Sequence, residues 1–308
     1  MSKSSWDKVP EEMQQHLTNC PLVDLSGECE RAGVSYVAAM YHRSKALSSV
    51  VAGQTPILNG AAQLSGDSLI ISDVHLPRHD STFSSQVLRL AGVWGLRQCI
   101  IAGDLYDMDM VGPFPLEMPS PSTADELDAG AEFLGRLAQQ FERILWIAGN
   151  HDVRLLKLAV RFLGIDPARI YTLMGAVDRI EASPYHHCRL TSAGRIWQIE
   201  HPKNASVTPG SVGLDLAAKF LCNVIVAHGH TIGVRRDRSG RYTIIDSGGL
   251  FHLEKLPYVS LEHSRRPMMN QGAVIVAGGV GYLVDPLNSD WDMLEWMGKR
   301  WTKNSKPS

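Results

Sequence analysis

The sequence predicts an α/β protein of two packed, mixed β-sheets flanked by helices, with a small helical segment in front. Three observations lead there. Short apolar runs each end in polar residues, amphipathic stretches lie between them, and in the second half strand-like runs follow one another with little helix between.

Residues 68–73 (SLIISD), 98–104 (QCIIAGD), 144–152 (ILWIAGNHD) and 223–230 (NVIVAHGH) read as buried strands. Between them, residues 123–142 place Leu127, Ala131, Leu134, Leu137 and Phe141 at three- and four-residue spacing, one face of a helix of about five turns. Residues 153–163 continue helically, and Gly164 suits a C-cap. Residues 242–246, 273–277 and 282–284 read as further strands, so the second sheet is expected to be partly antiparallel. The proline-rich stretch 109–122 follows a polar strand end and reads as a disordered insertion or the wall of a functional cleft.

The first 65 residues are a separate helical segment in this reading, followed by one large domain over residues 66–286 and a tail over 287–308. Residues 23–47 read as two helices joined at Ala32-Gly33-Val34-Ser35, a turn that resembles the helix-turn-helix of DNA-binding modules. Residues 1–50 carry five Lys/Arg against six Asp/Glu, a poor footprint for phosphates, so a helical cap or oligomerisation arm is preferred.

Composition sets broad limits. Hydrophobic residues make up 44% and charged residues 20% of the 308, as in a folded, water-soluble protein. A formal net charge of −2 gives the whole molecule no pull toward nucleic acid or anionic membrane. Cys20, Cys29, Cys99, Cys188 and Cys222 are odd in number and form no CxxC pair, which argues for a reducing cytoplasm and against a disulfide framework or thiolate metal site. The opening residues lack an apolar targeting core, and the apolar stretch at 272–284 is too short to span a bilayer, so no membrane association is expected.

Chemistry gathers just past the expected strand ends, where α/β folds collect functional groups. The segments are Asp73-Val74-His75, Gly103-Asp104-Leu105-Tyr106-Asp107, Gly149-Asn150-His151-Asp152, His201, and His228-Gly229-His230. Each alone is a weak signal. Together they supply carboxylate, imidazole and amide ligands without thiolate, a set that suits manganese, iron or zinc, and seven ligands are enough for two metals sharing one. Two cations about 4 Å apart can clamp phosphate oxygens and lower the pKa of a shared water, giving a hydroxide nucleophile at neutral pH.

In this order, DxH, GDxxD, GNHD, His and HxH resemble the calcineurin-like metallophosphoesterase superfamily over about residues 66–286. SDVHLPRHD, GNHD followed by Val153-Arg154, and residues 245–282 are most similar to its bacterial and bacteriophage members. The resemblance implies a four-layer sandwich that hydrolyses phosphate mono- or diesters through a bridging hydroxide at a two-metal centre. It implies one metal on Asp73, His75 and His230, a second on Asn150, His201 and His228, and Asp104 bridging them. His151 would be the catalytic imidazole, oriented by Asp107.

The sequence departs from the family at Pro202, which follows His201 where relatives usually have glycine, and at Ala227 before the HxH pair. An alternative register reads Gly229-His230-Thr231-Ile232 as the family's GHTH with its second histidine lost. Met108 and Asp152 occupy positions where the family's protein phosphatases usually carry arginine and glutamate, so phosphoprotein hydrolysis is disfavoured. A nucleic acid or nucleotide is the expected substrate class, with Arg78, His79 and Arg154 the candidate phosphate contacts. Arg235, Arg236, Arg238 and Arg241, around a Ser239-Gly240 turn, read as a solvated hairpin or a phosphate-tracking rim. Two other readings are a phosphoprotein phosphatase, and a nucleic-acid-binding regulator that uses residues 23–47 and keeps a secondary metal site.

Overall fold

Residues Ser68–Ile71 are buried on both faces, which only an interior strand between two packed layers permits. In the computed structural model, which describes residues 9–19, 22–35, 39, 60–112, 120–164, 166–175, 179–256 and 269–304, this strand lies inside one of two six-stranded sheets. In chain order the strands are β1 Gln63–Ser65, β2 Ser68–Ile71, β3 Gln98–Ala102, β4 Arg143–Ile147, β5 Ile180–Ser183 and β6 His187–Ser192. They continue with β7 Arg195–Glu200, β8 Asn223–Val226, β9 Ile232–Arg236, β10 Thr243–Ser247, β11 Ala273–Ala277 and β12 Val280–Val284.

The first sheet runs β12-β11-β2-β3-β4-β5 and the second β1-β6-β7-β8-β10-β9. β2 to β5 are mutually parallel, with β11 and β12 added antiparallel, and in the second sheet β7, β8 and β10 are parallel. Both sheets are therefore mixed, as the apolar runs predict.

The period of two in each strand divides the core. Ile70, Ile100, Leu145 and Ile147 point between the sheets and meet Leu190, Trp197, Ile199, Ile225 and Ile245. Leu69, Ile71, Cys99, Ile101, Ile144 and Trp146 point the other way, under helices. These are α3 Ser81–Val93, α4 Thr123–Gln140 and α8 Trp291–Asn304; the other helices, in chain order, are α1 Glu11–Asn19, α2 Leu22–Ala32, α5 Asp152–Leu158, α6 Pro167–Leu173 and α7 Ser211–Phe220. Asp80 caps α3 by accepting from Thr82 N and Phe83 N, both at 2.9 Å, and Ser122 with Asp125 forms a capping box on α4.

Several elements differ from expectation for local reasons. The buried face of α4 is Glu126, Gly130, Phe133, Leu134 and Leu137, while Ala131 is exposed. That rotation presents Gly130 to Tyr106, whose ring a Cβ would strike. The helix after His151 is α5 followed by a π-helical turn Ala159–Leu163, and Gly164 closes it at φ 60° with its N–H on Ala159 O. α7 supplies helix where little was expected. Its Gly213, a weak helix former, is what lets it lie on β10, because a Cβ there would collide with Ile244.

The sheet begins earlier than residue 66, since β1 pairs with β6 and Gly66 N donates to Thr191 O at 2.9 Å. Beyond residue 286 the chain forms α8, docked on α3 through Trp94 Nε1, which donates to Leu294 O at 3.1 Å. At the other end, α1 and α2 share a small core of Leu17, Cys29, Val34 and Ala39. Only the first helix of the helix-turn-helix reading, α2 with Gly33 at φ 64°, falls on described residues; 36–38 and 40–47 lie outside them, as do 113–119 of the proline-rich stretch. Among the described residues no helix is long and apolar enough to cross a membrane.

Candidate metal centre

β2, β3 and β4 end side by side because they are parallel neighbours, and the chain leaving each contributes to one site. Asp73 N donates to Gly103 O at 3.0 Å, while Val74 N and His75 N share Asp104 O at 2.8 and 3.1 Å, so the first two turns are laced together. From β4, His151 N donates to Asp104 Oδ1 at 2.8 Å. The second sheet approaches from across the core: His201 follows β7, and His228 and His230 follow β8.

Close approach explains two glycines. A Cβ on Gly103 would strike the His201 imidazole, and one on Gly149 would strike Asp104 at its backbone N and Oδ1. Backbone strain concentrates at the same place. Asp73, His75, Asp104, His228 and His230 all hold left-handed φ of 47°, 51°, 49°, 72° and 54°. A non-glycine residue there costs about 1–3 kcal/mol, and such strain persists where the surroundings over-determine it, characteristically at functional sites.

Three groups of potential ligands result: Asp73 with His75 and His230, Asp104 with His201 and His228, and His75 with Asp107 and His151. In the first, His75 Nε2 lies 3.1 Å from His230 Nε2, and His230 Nε2 lies 3.1 Å from Asp73 Oδ1. Asp73 Oδ1 is buried yet makes no contact of hydrogen-bonding geometry. In the second, His201 Nε2 lies 3.0 Å from Asn150 Oδ1 and 3.2 Å from Asp104 Oδ2. His201 is thus brought into the site despite Pro202.

The outer nitrogens fix which atoms are available. His75 Nδ1 faces Asp107 Oδ1 at 2.9 Å and His201 Nδ1 faces the Ala102 carbonyl at 2.9 Å, so in each neutral ring the Nδ1 carries the proton and Nε2 presents a lone pair inward. Those lone pairs confront carboxylate, amide oxygen or another imidazole nitrogen, an arrangement that only a cation or a proton reconciles. The donor set therefore fits divalent metal.

The protonation balance makes the same point. Burial opposes charge on His201, but Asp104, Asp73 and the Ala102 carbonyl outweigh it and push the ring up to about 10. Burial likewise opposes charge on His75, and Asp107, Asp104 and Asp73 raise it to about 9. Burial and then neighbouring His201 press His228 down to about 4. Asp104, although buried, is held well below the usual carboxylate range by His201, His151 and His75. The carboxylates thus favour positive charge on His75 and His201, while burial disfavours it on His228 and His230.

Asp107 joins three partners: His75 through Oδ1, His151 Nδ1 at 3.2 Å from the same oxygen, and Arg78 through Oδ2. His151 Nδ1 also faces the Asp107 carbonyl at 2.9 Å, and Arg154 Nη2 lies 3.3 Å from His151 Nε2. Of the candidate phosphate contacts, Arg154 sits beside His151 and Arg78 is committed to carboxylates. The His79 ring turns instead onto Phe133, with centroids 5.5 Å apart.

Two further residues were not anticipated. Glu126, fully buried on α4, accepts from Asp107 N at 3.1 Å and Met108 N at 2.6 Å, supporting the left-handed Met108. Its signal in the sequence is a charge in phase with Gly130, Phe133 and Leu137. His186 accepts from His201 N at 2.8 Å through its carbonyl, and its Nδ1 faces Ala148 O at 2.7 Å, bracing the second group of ligands. No sequence pattern marks it.

These observations define the class: an α/β double-sheet protein with a buried Asp/His/Asn centre at the strand ends. No protein-family model and no curated protein matches the sequence. Solved structures do resemble it. YfcE, a phosphoesterase from E. coli, aligns over 71% of this chain and 92% of its own at 12% identity and a TM-score of 0.40. Vps29 from Chaetomium thermophilum aligns over 68% of this chain and 79% of its own at 11% identity and 0.38. Vps29 from Entamoeba histolytica, complexed with zinc, aligns over 71% and 98% at 12% identity and 0.37.

Proposed function

We propose that the protein is a metal-dependent phosphoesterase of the calcineurin-like metallophosphoesterase superfamily. The observation that carries the proposal is the pair of buried ligand groups whose inward lone pairs face carboxylate, amide and imidazole acceptors at 3.0–3.2 Å. Asp73, His75 and His230 would hold one divalent ion, Asn150, His201 and His228 the other, and Asp104, reaching both the second group and the turn of His151, would be shared. Such ions, when bound, polarise phosphate oxygens and lower the pKa of a water, supplying the nucleophile.

The chain's own groups do the rest. His151 Nε2 and Arg154 Nη2 lie 3.3 Å apart, and the pair would grip a phosphate oxygen. Asp107 orients the His151 ring through its carbonyl and Oδ1, both of which face Nδ1, and the ring would supply a proton to the departing ester oxygen. Asp152, where protein phosphatases carry glutamate, is spent on Gly149 N, Tyr106 N and Trp146 Nε1, a role in holding the turn.

A nucleic acid or nucleotide substrate is favoured by β9, an edge strand that begins two residues after His230 and carries exposed Arg235 and Arg236 toward Arg238 and Arg241. The test is to load metal-stripped protein with manganese, iron or zinc and offer nitrophenyl mono- and diesters, nucleotides, DNA, RNA and a phosphopeptide. Hydrolysis that depends on about two bound ions per chain is expected. Protein that binds no divalent metal and cleaves none of these overturns the proposal.

A further inference from the structure

Asp109 divides its carboxylate between two arginines. Its Oδ2 accepts from Arg78 Nη1 at 2.8 Å and its Oδ1 from Arg154 Nη1 at 3.1 Å. Arg78 is paired with Asp107 as well and donates through Nη2 to Ser120 Oγ at 3.1 Å. Arg154 also donates to the Asp107 carbonyl at 2.8 Å. Two guanidinium groups thus meet two carboxylates, and the network bordering His151 is balanced within itself.

A guanidinium already matched by a carboxylate offers a phosphate its N–H groups but little uncompensated charge. Asp109 also stands only one guanidinium's breadth from His151 Nε2, because Arg154 touches both. Its field opposes any anion bound there, and a dianion feels that opposition twice as strongly as a monoanion.

We propose that Asp109 sets the charge of the accepted substrate, making the site selective for monoanionic phosphodiesters over dianionic phosphomonoesters. The inference rests on the phosphoesterase reading and on a phosphate beside His151. Asp109 touches no reacting atom; it acts by its field and by holding Arg154. With its side chain about one-fifth exposed, water screens it only in part, and one unit of ligand charge at this range is worth about tenfold in relative affinity.

The experiment uses metal-loaded full-length protein, as wild type, Asp109→Asn and Asp109→Ser, at pH 8, where a monoester is a dianion. kcat/KM is measured for bis(4-nitrophenyl) phosphate and 4-nitrophenyl phosphate, and Kd by calorimetry for dimethyl phosphate and inorganic phosphate. Wild type should favour the diester. Both variants should shift the ratio toward the monoester by about tenfold, with inorganic phosphate binding tightened more than dimethyl phosphate. A merely structural role would depress both substrates together. Wild type preferring the monoester, or variants that bind metal but move the ratio and the phosphate Kd by less than about twofold, overturns the proposal. Should wild type hydrolyse neither ester, the catalytic reading falls, and the two Kd values still decide whether Asp109 discriminates by charge.

Discussion

Replacing Glu126 with glutamine tests how the left-handed turn at Met108 is held. The carboxyl is fully buried, one oxygen accepts from Asp107 N and Met108 N, and the other has no partner. Burial, reinforced by Asp107 and Asp109, pushes it up to about 7. A carboxyl raised in the folded state binds its proton more tightly there than in the unfolded chain. Its contribution to stability is thus fully present below the ordinary value near 4.5 and is lost as pH rises through 7. At 1.36 kcal/mol per decade of proton affinity, the loss between pH 5 and 8 comes to about 2–3 kcal/mol. Glutamine keeps an acceptor for both N–H groups and cannot ionise. In urea titrations of chelator-treated protein, wild type minus Glu126→Gln stability should fall by about that amount from pH 5 to 8. Parallel stability curves for the two proteins across this range would refute the reasoning.

Other outcomes follow from the same geometry. His151→Ala should keep near-normal metal content yet lose about 10²–10⁴ in kcat, less for nitrophenyl esters whose leaving group needs little protonation, as single-turnover kinetics would show. Asn150→Ala should instead lower occupancy of one metal and recover partly in excess manganese, read by elemental analysis. Asp104→Asn should weaken both metals together, and retention of two full equivalents would count against its shared role. Gly149→Ala should destabilise by about 1–3 kcal/mol and disturb metal binding, because the added methyl meets Asp104. Deleting residues 1–59 should leave hydrolysis of a small ester largely intact, since none of the proposed ligands lies there.

The layered α/β class was legible because its central strands are buried on both faces and so read as unbroken apolar runs, SLII and QCIIA above all. The grouped ligands were legible for a related reason: parallel strands end together, so residues a hundred positions apart share one edge. What escaped were elements whose sequence is written for a neighbour. α7 contains Gly213 because Ile244 needs the space, and α4 turns its face to bring Gly130 to Tyr106. The hairpin of β6 and β7 carries Arg189 and Arg195 among its apolar residues, which blurs its alternation. Asp109 and His186 act through ion pairs and backbone contacts made at long range, of which spacing along the chain holds no trace, and Glu126 is marked only as a charge in phase with the buried face of α4.

Each proposed metal draws its ligands from both sheets. Asp73 and His75 leave the first sheet while His230 leaves the second; Asp104 and Asn150 leave the first while His201 and His228 leave the second. Occupancy would therefore act as a pair of rivets across the apolar seam between the sheets, resisting any sliding of one against the other. Because the bound state alone benefits, metal at a hundred times its Kd would add about 2.7 kcal/mol per site to the fold. Supply of the metal would govern how long the molecule survives as well as how fast it turns over.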